Sequence, residues 1–148
     1  MILTNKNILL VFFVSICLST FGQSEKMNIL FIAVDDLKTN IGCFGDTLAQ
    51  TPSLDALSEK GMVFTKAYCQ QAVCAPSRAS LLTSQYPDQT KVWDLQTLIR
   101  DMNEDIVTLP QYFKQNGYKT AGVGKIYDYR SVTDNDALSW TEPYGNPY

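Results

Sequence analysis

Asn28–Val34 (NILFIAV) is a continuous apolar run that stops abruptly at Asp35-Asp36. Its β-branched content, with no polar alternation, is the pattern of a strand covered on both faces, as strands of a parallel sheet are. Downstream, Thr51-Pro52-Ser53 opens a helix with a capping hydroxyl and a proline in the first turn, and Gly61 closes it. Met62–Tyr68 alternates weakly, as a second strand does. Ala75-Pro76-Ser77 begins another helix, feeding Ser80-Leu81-Leu82. Thr108-Leu109-Pro110 begins a third, with Leu109, Tyr112 and Phe113 apolar, and Asn116-Gly117 ends it. Tyr118–Val123 reads as a strand interrupted by Gly122 that runs into Gly124-Lys125. Strands alternating with capped helices predict an α/β domain, a mainly parallel sheet flanked by helices. Ligands of such sheets sit beyond the carboxyl ends of the strands. Two of these expected strands end in charge, at Asp35-Asp36 and at Lys125.

The composition narrows the chemistry. The 148 residues carry 12 Lys+Arg against 15 Asp+Glu, a formal charge of −3. A nucleic-acid binder usually carries a basic excess to replace phosphate counterions, so this charge balance counts against that class and no nucleic-acid partner is expected. Hydrophobic residues at 45% and aromatics at 11% suffice for a packed core of one domain. Histidine is absent, which removes a histidine triad, a histidine general base and a histidine-rich zinc site from these residues.

Met1–Gln23 reads as an export signal rather than as part of the fold. Asn5-Lys6-Asn7 gives a positive start, Ile8–Leu18 is apolar, and Ser19-Thr20-Phe21-Gly22 places small residues before a cut after Gly22. The apolar run is too short to span a bilayer comfortably. A lipoprotein signal at Cys17 is disfavoured by the bulk of Ile16. Residues 1–22 are thus expected to be a signal peptide, and 23–148 an exported chain, periplasmic or secreted and free of the membrane. Cys43, Cys69 and Cys74 then remain, an odd number, so at least one thiol is outside any intramolecular disulfide. From Asp128 to Tyr148 the chain is polar and ends without a closing helix or strand. About three strands are too few for a two-sided sheet, so the chain is expected to be an incomplete, N-terminal part of its fold.

Two clusters can carry chemistry. Adjacent carboxylates at a strand end, Asp35 and Asp36, can both turn toward one hard cation, Ca²⁺ or Mg²⁺; a solvated turn is the plain alternative. In Cys74-Ala75-Pro76-Ser77-Arg78, Pro76 favours a helix starting near Cys74, whose side chain then lies by free backbone N–H groups at the positive end of the dipole. Arg78 follows one turn later on the same face. Nucleophile, amides and guanidinium together suit a tetrahedral sulfate or phosphate.

Cys-Ala-Pro-Ser-Arg resembles the sulfatase signature, Cys-x-Pro-Ser-Arg. Val34-Asp35-Asp36-Leu37, Gly42-Cys43-Phe44-Gly45-Asp46, Gln70–Arg78, Leu82-Thr83, Pro87-Asp88-Gln89-Thr90, Pro110-Gln111-Tyr112-Phe113 and Gly124-Lys125 extend the match in order over residues 27–130. Together they are similar to the N-terminal part of formylglycine-dependent sulfatases of the alkaline-phosphatase-like superfamily, nearest the iduronate-2-sulfatase-like enzymes. The resemblance implies that Cys74 is oxidised to Cα-formylglycine by a formylglycine-generating, or sulfatase-maturing, enzyme. Its hydrate would attack sulfur with one hydroxyl and release sulfate through the other. Asp35, Asp36 and residue 74 would hold Ca²⁺, with Mg²⁺ less favoured. Arg78 would steady the diol and the metal site, and Lys125 would contact the sulfate and the bridging oxygen. The implied activity is hydrolysis of sulfate esters on a sulfated sugar, such as a glycosaminoglycan.

Three departures stand against the pattern. Asp128 occupies the place of a histidine that the family usually has after this lysine; a carboxylate repels sulfate, so that role is not transferred. Thr83-Ser84-Gln85 replaces Thr-Gly-Arg. The family's remaining metal ligands, a further histidine and a second lysine, are expected downstream of these residues. A phosphodiesterase or phosphonate hydrolase of the same superfamily is the enzymatic alternative, and a degenerate glycan-binding domain the non-catalytic one. Cys43 and Cys69 are expected to be packed thiols, a Cys43–Cys69 disulfide being the other reading. Tyr86, Trp93, Tyr127 and Trp140 are either core and rim residues or the lining of a sugar pocket.

Overall fold

A computed structural model describes residues 26–145, and the expected signal peptide at 1–22 lies outside them. The chain divides into two compact units, Met1–Phe31 and Ile32–Tyr148. Of the first, residues 26–31 are irregular and solvent-facing.

Regular structure in the second unit is helical. Among the described residues five α-helices follow one another: α1 (Pro52–Ser58), α2 (Cys74–Thr83), α3 (Pro87–Thr90), α4 (Ile99–Met102) and α5 (Leu109–Gln115). Single 3₁₀ turns occur at Gly42–Phe44 and Ala137–Ser139. The expected parallel sheet is not what the described residues form. Their only β pairing is an isolated parallel bridge between Val123 and Gly145. Residues 28–34 and 62–68 have no ladder, and Ile32 and Phe64 remain 72% and 69% exposed. The reason is physical: a helix closes its hydrogen bonds within itself, whereas a strand needs a neighbour to receive its N–H and C=O groups. Apolar β-branched sequence selects extended backbone without supplying that neighbour.

α2 is the centre of the packing. Ala75, Ala79 and Leu82, spaced four and three residues apart, lie on one face and are buried. They join Val92, Ile99, Ile106, Tyr127, Val132 and Trp140 in one cluster, with Leu95, Ile126 and Tyr144 packed against it. The segment after Asp128, which the sequence suggests is a polar tail, therefore supplies core residues. It also supplies a buried polar knot. Arg100 pairs with the Asp136 carboxylate, Ser139 Oγ donates to Asp136, and Thr108 Oγ1 and Tyr127 Oη lie 2.6 and 2.7 Å from Ser139 Oγ. Every one of these polar atoms has a partner, so their burial carries no unmet desolvation penalty.

The starts of α5 and α1 show two outcomes of local chemistry. Thr108 caps α5: its hydroxyl accepts from the Gln111 N–H, and the Gln111 side chain reaches back to the Thr108 N–H. Thr51 does not cap α1. Its hydroxyl accepts from the Gly42 N–H at 2.8 Å and donates toward the Asp55 carboxylate at 3.2 Å, tying the helix to the preceding turn instead.

Candidate active site

Val73 is extended and Cys74 is the first residue of α2, with Pro76 inside the first turn, where its fixed φ suits the helix and its missing N–H costs nothing. Cys74 is half-buried and its thiol is free. Arg78, one turn later, is 7% exposed. Its Nη2 meets Asp35 Oδ1 at 2.7 Å, and its Nη1 donates to the carbonyls of Lys125 and, at 3.1 Å, Ile126. One guanidinium thus staples the end of the apolar run at Asp35 to the loop that carries Lys125. A planar fork with several fixed donors can do this; an ammonium cannot.

Lys125 closes the ring. Its Nζ lies 2.7 Å from Asp35 Oδ2 and 3.6 Å from Asp128 Oδ2. The hydrogen bonds from Lys125 and then Arg78 lower the Asp35 pKa, against a small opposing effect of burial. The same Asp35 contact raises the Lys125 pKa, and Cys74 contributes in the same direction. The backbone around both groups is specialised. Asp36 has φ 55°, a left-handed value that Asp tolerates better than most residues, and Gly124 has φ 74°. Tyr144 pins the Lys125 loop, its hydroxyl donating to the Gly124 carbonyl and accepting from the Ile126 N–H.

Donor atoms of Asp35, Asp36 and Cys74 all lie within 4.8 Å of one another. Two carboxylates suit a hard cation such as Ca²⁺ or Mg²⁺, whereas a thiol sulfur does not. The set therefore fits such a cation once the sulfur of residue 74 gives way to oxygen. The structure brings all five residues singled out from the sequence, Asp35, Asp36, Cys74, Arg78 and Lys125, into one constellation.

Other expectations are corrected. Cys69 is exposed rather than packed, since it lies in an irregular segment with no ladder to bury it, and Cys43 is half-buried; both thiols are free rather than joined. The core reading holds for Tyr127 and Trp140, at 3% and 9% exposure with their rings edge-to-face, while Tyr86 and Trp93 face solvent. Two features of the site escape sequence reasoning, the place of Tyr144 and the pairing of Asp128 with Arg130. Tyr144 sits in the supposed tail. Asp128 is fully buried and grips Arg130 through two parallel hydrogen bonds, both 2.8 Å. An Asp two residues before an Arg, on a turn, is the faint signal for that pair.

A family profile described as Sulfatase matches residues 27–141. Iduronate 2-sulfatase of Homo sapiens is 42% identical over 129 residues, covering 85% of this chain and 24% of that protein. A sulfatase of Formosa agariphila is 41% identical over 112 residues, covering 71% of this chain and 22% of its own length. The delta 4,5-hexuronate-2-O-sulfatase of Bacteroides thetaiotaomicron is 28% identical over 137 residues, 90% of this chain and 28% of that one. The chain spans about a quarter of the length of the curated relatives it matches. The phosphodiesterase and non-catalytic alternatives find no support among these relatives.

Proposed function

This chain belongs to the sulfatase family, and from that premise we propose that it forms the nucleophile-bearing part of an enzyme that hydrolyses sulfate esters on sugars, built on the alkaline-phosphatase-like α/β fold. The observation that supports this most is the meeting of Cys74, Arg78 and Lys125 with the paired carboxylates Asp35 and Asp36. Residues 1–22 act as the export signal, and the exported enzyme works in the periplasm or outside the cell. A maturing enzyme reads the Cys74–Arg78 pentapeptide and oxidises Cys74 to formylglycine.

The hydrated aldehyde supplies two hydroxyls, one to attack sulfur and one to release sulfate. Asp35, Asp36 and the oxygen of residue 74 would hold Ca²⁺, which when bound would supply positive charge for the sulfate oxygens and the attacking hydroxyl. The chain's own groups do the remainder. Arg78 holds Asp35 in place and fixes the Lys125 backbone through its carbonyl. Lys125, kept protonated by Asp35, faces the charge that develops on the bridging oxygen as the sulfur–oxygen ester bond breaks. The S–O bond to the nucleophile forms as the ester S–O bond opens, the attacking hydroxyl gives up its proton, and the departing alkoxide gains one, so that the alcohol leaves neutral.

The substrate is a sulfated uronate-containing glycan of the glycosaminoglycan kind; that reading is supported by the names of the human and Bacteroides relatives. The test uses the intact, matured protein with an aryl sulfate and an aryl phosphodiester. A kcat/KM favouring the sulfate ester is expected, with release of inorganic sulfate. A preference for the phosphodiester would overturn the choice of reaction.

A further inference from the structure

We infer that Arg130 is a specificity-determining residue of this site, a guanidinium that Asp128 holds in place to receive an oxyanion of the substrate. The inference rests on the sulfate-ester reading above and adds a residue that the reading does not use.

Asp128 is fully buried, and a buried carboxylate needs compensation from every side. It receives Arg130 Nε on Oδ1 and Nη2 on Oδ2, both at 2.8 Å, and the Arg130 backbone N–H on Oδ1 at 3.1 Å. Its own carbonyl accepts from the Ser131 N–H and hydroxyl. One edge of the guanidinium is thereby locked. The other edge, Nη1 with the outer N–H of Nη2, has no hydrogen-bond partner among the described residues, and the side chain is 36% exposed. An arginine clamped on one edge and open on the other has already lost much of its rotamer entropy, which favours bidentate capture of an incoming oxyanion.

The position relative to the nucleophile is the second observation. Asp128 Oδ2 also lies 3.6 Å from Lys125 Nζ, so Arg130 and Lys125 share one carboxylate oxygen. Arg78 is committed to Asp35 and two backbone carbonyls, and Lys125 pairs with Asp35 while keeping donors for the reacting sulfate. Arg130 adds to this site a guanidinium edge that has no hydrogen-bond partner among the described residues. The oxyanion it meets is either the ester sulfate itself or a carboxylate on the same sugar.

The experiment compares wild type, Arg130→Met and Arg130→Lys in the intact protein. It measures kcat and KM for an aryl sulfate and for a 2-sulfated uronate, and inorganic sulfate binding by calorimetry. Arg130→Met is expected to raise KM about ten-fold, the loss of one charge-assisted contact, with kcat changed little. A rise on both substrates with weakened sulfate binding assigns the scissile sulfate; a rise on the uronate alone assigns the carboxylate. If Arg130→Met does not fold, Arg130→Lys carries the test, since its single ammonium keeps the charge beside Asp128 but loses the fork. Unchanged KM and unchanged sulfate affinity in the folded variant overturn the inference. A wild type that binds sulfate through Arg130 yet hydrolyses neither ester keeps the inference and defeats the proposed reaction.

Discussion

Asp35 is held by two cations at once, Arg78 on one oxygen and Lys125 on the other, each at 2.7 Å. Replacing Arg78 by Lys keeps the charge and loses the fork that reaches both Asp35 and two loop carbonyls. We expect kcat/KM of the intact enzyme toward an aryl sulfate to fall roughly 100-fold in Arg78→Lys, a cost of the size seen when a charge-stabilising group is lost; steady-state kinetics check it, and retention of wild-type kcat/KM would contradict the staple. A second residue-scale prediction concerns acid stability. Burial pushes the Asp136 pKa up, but hydrogen bonds from Arg100 and Ser139 outweigh it, and the folded value lies below the ordinary 3.8. A carboxylate depressed in this way stabilises the fold fully above the unfolded value and loses that contribution as pH falls through the folded one. Asp136→Asn should therefore lower stability at neutral pH, by about 3 kcal/mol because the Arg100 charge loses its carboxylate while keeping only the neutral Ile106 carbonyl and Gln111, and flatten the acid limb; urea titrations at pH 7 and pH 3 measure both. At this scale the sequence was informative where chemistry is local, as in Cys74 to Arg78. It was silent on Asp128 with Arg130 and on Tyr144, because their roles depend on a loop folding back over α2.

The helices show how far local signals reach. Prolines in the first turn announced α1, α2 and α5, and those elements formed near the expected places. The short α3 and α4 carry too little periodicity to be read in advance. Ser84 ends α2 in a left-handed conformation, φ 57° and ψ 24°, at the place where the resembling pattern has glycine. Ser84→Gly removes the Cβ clash of that conformation and should stabilise the chain by about 1 kcal/mol, less the entropy that glycine adds to the unfolded chain. A denaturant midpoint that falls instead would refute this. Thr108→Ala removes both the α5 cap and a buried hydroxyl contact to Ser139. A loss of about 2 kcal/mol is expected in the same measurement. The strands failed as expectations for the opposite reason to the helices: Asn28–Val34 has the composition of a buried strand, but its pairing depends on segments far away in sequence.

At the scale of the whole molecule, one small core around α2 coexists with many exposed apolar side chains, among them Met62 at 79% and Phe64 at 69%. A chain with this much uncovered apolar surface is expected to self-associate at micromolar concentration, and sedimentation that finds a clean monomer would speak against it. The fold class could be read from the alternation of apolar runs and caps only as a family pattern, since the described residues form helices and irregular segments. The site was more legible than the fold, because its residues cluster at element ends that short motifs mark. Everything functional turns on residue 74 becoming an oxygen-bearing nucleophile beside Asp35 and Asp36. Mass spectrometry of the peptide containing Cys74, from protein expressed with a maturing enzyme, tests this most directly. Conversion to the aldehyde predicts a peptide about 18 Da lighter than the unmodified sequence, and an intact cysteine thiol in an enzyme that nonetheless cleaves sulfate esters would contradict it.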